Sequence, residues 1–515
     1  MENKEGRRTT SAYSGQLEGG EEKRERTAPF SLFWESTTRI ALSTIISLAL
    51  QAILLGFSST SEARDLTDVF VQGFSYNAVG KNTAPAAAQF APFISAAVAQ
   101  AVTQEFPYAS VSPAFTYRYN PALSVYEPST TVPGPLFSER SLTLGKGQWN
   151  LGVGYSYVDF DELNGTDLHS FTSPGLLVEV LAGKDDLVQR PDGLFLAPLA
   201  ASTLRTKIDL NAHIVVPTLR YGITDNWDVT ISIPIVDTFL RVRNEFKRVA
   251  DADPTAASAL LERDNQGRFQ FRGFVNAQGQ PIASAFSIPL VKSQRPTASL
   301  ARAAGSSTGV GDIALRTKYT FWQQEGGGAA LGLNLQLPSG DEDNFHGTGD
   351  THLSTLLYVS QILWERFEPH LNLGVDFNTN DVDRSSFLYA VGAGVSVWRQ
   401  LGLVVDFLGR TEFSAPSSFK VPPEATFPES FLTKPADQCT QAQPCFFDRT
   451  RGNNGVINAP FFPATAERND YIDFSFGLRY VLGTRGSLFF AGLIPLNNDG
   501  FRSDFIPSGG IEYTF

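Results

Sequence analysis

The side chains that could do bond chemistry are sparse and poorly spaced for it. There are five histidines: His169, His213, His346, His352 and His370. None falls in HExxH or another metal-ligand spacing. Asp341, Asp343 and Asp350 lie in SGDEDNFHGTGD, which has the outline of a calcium loop. Its spacing departs from the EF-hand and no Glu closes it, so a solvated acidic loop is expected. GGGAALG occupies a turn, not a strand-to-helix junction, and is no phosphate loop. A membrane-embedded lipid hydrolase would need a serine–histidine pair on a lipid-facing surface with a polar group orienting it. The alternation around His213 and His370 points both inward instead. The sequence therefore predicts no catalytic residue, no cofactor and no metal site, and a protein that is not an enzyme. Cys439 and Cys445, in CTQAQPC, have no third thiol or histidine nearby, which argues against structural zinc. In an exported protein they are expected to form a local disulfide.

What the charged residues do share is a period of two. Lys207, Asp209, Asp228, Asp312, Arg316, Lys318, Asp376, Asp406, Arg410, Glu412, Asp473 and Arg479 alternate with apolar residues along extended stretches. Rows of this kind put charge on one face of a strand and hydrocarbon on the other. If the apolar face meets lipid, the charged face lines a lumen, and both signs there can pair across it. These twelve residues are the candidate lumen lining.

Twelve such stretches can be counted from Gln148 to the terminus. The second, about Leu204 to Ile223, sets Ile208, Leu210, Ala212, Ile214 and Val216 against Lys207, Asp209, Asn211 and His213. The third sets Trp227, Val229, Ile231, Ile233 and Ile235 against Asp228, Thr230 and Ser232. Short turns (TDN, QQEGGG, WER, RQ, GTRG) alternate with long polar connections, the longest at about 161–203, 242–308 and 414–468. A transmembrane, antiparallel, up-and-down β-barrel requires that alternation, with short turns in the periplasm and long loops outside. Closure follows because backbone groups facing lipid have no water to bond. Composition agrees: Gly 44, Phe 40 and Tyr 15 against a single Met. The net charge of -12 argues against a nucleic-acid partner.

The two ends carry addresses. Arg39 precedes an apolar run, Ile40 to Phe57, followed by Ser61 and Ala63 at small-residue positions, so residues 1–63 read as a leader and secretory signal. Residues 64–147 do not alternate and include an Ala-rich stretch that predicts a helix at about Pro92–Gln104. This segment either leads in from the periplasm or plugs the lumen. At the other end, DFIPSGGIEYTF puts Ile511, Tyr513 and Phe515 on one face and stops on Phe515. It is similar to the terminal signature that the outer-membrane barrel-assembly machinery reads.

RSLTLGKGQWNLGVGYSYVDFDELNG, LRYGITDNWDVTISIPI and GVGDIALRTKYTFW resemble an outer-membrane transporter family associated with meta-pathway phenol degradation, and more distantly the long-chain fatty-acid transporters. Over about residues 130–515 the resemblance implies a bacterial outer-membrane channel passing small hydrophobic or aromatic solutes. Its partners would be outer-membrane lipid, the assembly machinery and the solute. Asn120-Pro121-Ala122 matches a hatch tripeptide of the distant relatives, but it follows the Ala-rich stretch. The alternative is a structural or surface-interaction barrel acting through its long loops. Deleting Phe515 should impair assembly, read as loss of the heat-modifiable gel band; an unchanged band would remove this strand's role as a signal.

Overall fold

The computed structural model describes residues 65–69, 113–120, 125–128, 130, 132–163, 165–180, 187–253, 257–265, 269–281, 290–292, 298–380, 382–398, 400–414, 426–428, 468, 470–483 and 485–515. The leader, the expected helix at 92–104 and the Cys439–Cys445 pair lie outside them.

Twelve antiparallel staves close into a barrel. β1 is Trp149–Phe160 and β2 is Leu199–Thr224. β3 has two segments, Trp227–Ser232 and Ile235–Ala252, and β4 likewise, Ala298–Val310 and Ile313–Gln324. β5 is Gly327–Leu337, β6 His352–Gln361, β7 Phe367–Asn378 and β8 Ser386–Trp398. β9 is Leu401–Glu412, β10 Asp470–Leu482, β11 Gly486–Pro495 and β12 Ile506–Thr514. Each stave pairs with its sequence neighbours. β12 then closes on β1, with Ser508–Thr514 opposite Asn150–Ser156, and the Phe515 N–H donates to the Trp149 carbonyl at 2.8 Å. The predicted fold class, strand order and closing pair are those observed.

Outward positions form an apolar belt. On β3 it runs from Trp227 through Val229, Ile231, Ile233 and Ile235, with Phe239 as the last outward aromatic. At ~3.3 Å per residue and ~45° tilt, Trp227 to Phe239 spans roughly the hydrocarbon height of an outer-membrane barrel. These features place the chain in the bacterial outer membrane.

β2 is 26 residues long, far more than a crossing needs. Its even positions face inward from Thr206 to Gly222. Arg220 is 3% exposed, as are Ile208 at 1% and Leu210, Ala212 and Ile214 at 0%. Parity cannot change without a bulge, so Lys207, Asp209 and His213 point outward, opposite to the expectation from the apolar row. The reason is a change of solvent along one strand. Below about Val215 the outside is lipid and the inward row is polar. Above it the outside passes from the membrane interface through headgroups to water and the inward row is apolar. β3 switches alike: Val236, Leu240 and Val242 are buried while Asp237, Arg241 and Arg243 face out.

The long connections are partly sheet. β3 pairs with β4 through Lys247↔Ala298, so the expected loop 242–308 is strand at both ends. Phe171–Val180 pairs with the top of β2. Val188–Gln189, Phe195–Ala197, Ser258–Arg263 and Phe269–Val275 make a four-stranded accessory sheet. The acidic 341–350 loop is not simply solvated. Phe345 is 0% exposed and His346 sits against Gly309, its Nε2 3.1 Å from the Ser307 carbonyl. Burial pushes the His346 imidazole below its ordinary value, with that carbonyl opposing.

The inverted facing can be checked with both native cysteines replaced by Ser. On intact cells, Asp209→Cys should react with a membrane-impermeant maleimide, and Leu210→Cys should stay protected. The reverse pattern would restore the simpler assignment.

Candidate functional site

Between the short-turn end and mid-height, the lumen holds residues 132–145, all buried except the partly exposed Phe137. This stretch, SERSL at its centre, precedes β1 and meets inward side chains of nearly every stave. Of the two placements open for the segment before β1, this part occupies the lumen.

Its centre is an ionic knot. Glu139 takes Lys318 of β4 at 2.9 Å and Arg220 of β2 at 3.3 Å. Lys318 also donates to the carbonyls of Arg140 (3.1 Å) and Leu142 (2.8 Å). Arg140 donates to Glu368 of β7 at 2.6 Å, with side chains 0% and 1% exposed. Its guanidinium also donates to the Val132 carbonyl at 2.9 Å and the Thr130 hydroxyl at 3.2 Å. Ser138 donates to Asp406 of β9 at 2.7 Å, and His370 Nε2 lies 2.5 Å from the same carboxylate oxygen. The Ser141 N–H donates to Ser360 of β6 at 3.0 Å, and Thr320 of β4 donates to the Ser141 carbonyl at 2.7 Å. The Leu144 N–H donates to Asp228 of β3 at 3.0 Å. Arg479 of β10 pairs with Glu512 of β12 at 3.2 Å and donates to the Pro135 carbonyl. Glu512 in turn accepts the Ala114 N–H.

The fit also needs missing side chains. A Cβ on inward Gly477 would lie 2.2 Å from Leu136, which packs with Val404 and Phe489. Where the segment leaves the lumen, a Cβ on Gly222 would lie 1.8 Å from the Gly145 carbonyl oxygen. That close approach lets the Gly147 N–H donate to the Gly222 carbonyl at 2.7 Å and start β1 beside β2.

Burial alone would raise the Glu139 carboxyl. Arg220 and Lys318 overcome it and hold the group at about 2. Two cations around one buried carboxylate make its loss costly from either side.

Ten of the twelve candidate lining residues therefore face the interior, while Lys207 and Asp209 do not. Asp228, Lys318, Asp406 and Arg479 hold the inserted segment. Asp312, 2% exposed, instead fixes the 339–350 loop by accepting from the Gly340 and Thr348 N–H groups and the Thr348 hydroxyl. Arg316 donates to Asn334 at 3.2 Å. Asp376 accepts from Ser354 and pairs with His352 at 2.7 Å. Arg410 lies over the Tyr471 ring, Glu412 is 9% exposed, and Asp473 pairs with Arg502. Sequence reasoning missed Arg220, Glu368 and Glu512 as part of this site, and with them Ser138, Glu139 and Arg140. Arg220 carried a signal: a lone cation between Leu219 and Tyr221, whose apolar parity is opposite to that of Ile208–Val216.

Residues 263–427 match the protein family described as "Putative MetA-pathway of phenol degradation". No curated protein matches the chain. Among solved structures, the chain is similar to an outer-membrane channel from Pseudomonas putida F1 at 13% identity, covering 73% of this chain and 98% of that one, with a TM-score of 0.35. It is similar to a FadL homologue from Pseudomonas aeruginosa at 10% identity, covering 72% and 89%, TM-score 0.26. A TodX monoaromatic hydrocarbon channel mutant gives 13%, 73% and 91%, TM-score 0.25.

Glu139→Gln should loosen the inserted segment by roughly 3 kcal/mol, the size of the depressed carboxyl's linkage. Limited proteolysis between residues 113 and 147, in detergent, reads the change. Because the carboxyl is depressed, its contribution is full above its ordinary range near 4.5 and is lost as pH falls toward about 2. Wild-type protection should therefore fail only in that acid window. Equal protection of the Gln variant at pH 7 would deny the knot its role.

Proposed function

We propose that the chain is an outer-membrane channel for small hydrophobic or aromatic molecules, entered from the long-loop end and gated by residues 132–145. The observation that carries this reading is the two-tier interior. On the β1–β3 flank the outer tier presents Val158, Phe160, Ile208, Ile214, Leu240 and Val242 inward, all buried, across from inward polar groups on β7, β9 and β10. A lumen built to pass ions and sugars would not be lined by hydrocarbon at the end where solutes enter. An apolar interior favours transfer of apolar surface out of water at roughly 25 cal/mol per Å². Below it the ionic knot blocks the path with groups that an apolar solute does not satisfy. The match of residues 263–427 to the phenol-degradation family supports the same reading.

In this mechanism the solute partitions into the outer tier and passes when the inserted segment shifts. The segment can shift without unfolding the wall, because its anchors are side chains rather than ladder pairing. A twelve-strand lumen without it would lie between the filled eight-strand case and open porins, so displacement opens a narrow path. The long loops and accessory sheet would screen entry.

Flux into proteoliposomes tests this. Wild type should admit a monoaromatic probe faster than empty liposomes and faster than a sugar of similar size. Glu139→Gln with Arg140→Gln should raise conductance to small ions by about tenfold or more, in line with loss of buried pairs. No aromatic flux from wild type, with ion conductance unchanged in the double variant, would leave the surface-interaction reading in place.

A further inference from the structure

The outward side of β2, β3 and β4 carries a row of like charges just above the aromatic edge of the belt. Arg243 is the ladder partner of Lys207 on one side and of Arg302 on the other. Three cations thus stand directly opposite one another across three adjacent strands. Cross-strand like charges are destabilising, since their Cβ atoms lie only ~5 Å apart. One row below, Arg241 faces Asp209. One row above, Arg205 faces Glu245.

Asp209 is the nearest carboxylate and is shared by all sides. Lys207 approaches it at 3.2 Å, and Arg241 and Arg243 each at 3.8 Å. His169 Nε2 faces it at 3.9 Å. Asp159 and Asp161 bound the patch on the β1 flank beyond His169. Across the three rows stand five cations and two carboxylates, a local excess of three positive charges, on a chain whose net charge is -12. The side chains of Lys207, Arg241 and Arg243 are 40%, 41% and 43% exposed.

Height fixes what anion can reach them. Phe239 is the last outward aromatic on β3, and the Arg241 guanidinium lies over its ring at 5.0 Å. Arg243 is four residues further on, ~13 Å along the strand and ~9 Å along the membrane normal at ~45° tilt. That is the headgroup layer of the outer leaflet, within reach of a guanidinium that can bend toward it. Water alone would not favour three aligned cations there; a phosphate bridging them would, since guanidinium–phosphate hydrogen bonds are charge-assisted and can be bidentate.

We propose that the Lys207–Arg243–Arg302 row is a docking site for the phosphorylated sugar headgroup of an outer-leaflet glycolipid. The site is separate from the lumen and does not depend on what the channel passes. Native mass spectrometry of the purified full chain tests it, with bis-phosphorylated lipid A, the same lipid dephosphorylated, and phosphatidylglycerol as probes. Wild type should retain the bis-phosphorylated lipid at least about tenfold better than either other probe, and Lys207→Gln/Arg243→Gln/Arg302→Gln should abolish that margin. Equal retention by the triple variant, or of phosphatidylglycerol by wild type, overturns the proposal. Should the triple variant not assemble, Arg302→Gln alone decides. In lipid-free detergent it should unfold at the same or a higher temperature than wild type, and with lipid A its stabilisation should shrink. A lower unfolding temperature without lipid, or undiminished stabilisation with it, overturns the proposal.

Discussion

Every other property of this protein depends on the need of backbone N–H and C=O groups for partners where no water reaches. In hydrocarbon a sheet can meet that need only by closing on itself. Closure fixes the order of the staves and, through the ladder, the parity of each residue. Once β12 bonds β1, a single inward residue such as Arg220 determines the facing of a 26-residue strand. The side chains then adapt to whichever medium the fixed parity gives them.

The ring leaves a lumen that must be filled or remain wet. Its lower half is filled by chain rather than by the wall's own side chains. The inserted segment brings both signs of charge, so the wall's cations and carboxylates find partners within hydrogen-bonding distance instead of across an open gap. Buried pairs of this kind add little net stability over an apolar core, but they tolerate few alternative arrangements. Glycines at the contact points do complementary work: where Leu136 needs space, the wall has only Gly477 there. On the β1–β3 flank the outer half follows the opposite rule, with hydrocarbon inside and charge outside, as in a soluble β-barrel.

Much of this could be read from the residues. Period-two alternation and the short–long rhythm of connections identified all twelve staves, because both follow directly from backbone geometry. The charged rows expected on β3, β4, β7, β9 and β10 face inward, and on the closing strand Ile511, Tyr513 and Phe515 share the outward face. On β2 the expected facing is reversed, since the rule that apolar rows meet lipid holds only at membrane height, and Ile208–Val216 lie above it. Lys207 and Asp209 were misassigned for that reason alone. The inserted segment was harder to read. Residues 132–145 have no periodicity, because their partners come from staves scattered between Arg220 and Phe489. Nothing local in SERSL shows that Glu139 will meet Lys318, and contacts of that range are set by closure.

The change of polarity along β2 and β3 also makes the protein sensitive to bilayer thickness. In an ordinary barrel the apolar belt fades gradually and a thicker membrane meets mildly polar residues. Here the belt ends abruptly on β3, where Phe239 is followed on the same face by Arg241 and Arg243. A bilayer even a few ångströms too thick would press hydrocarbon against that row, and one too thin would expose Ile233 and Ile235. The cost of mismatch, fractions of a kcal/mol per Å for most spans, should therefore rise more steeply here on both sides of the preferred value. On this flank the protein would set the thickness of the lipid around it, which is a basis for sorting among membranes and for choosing lateral neighbours of matching height.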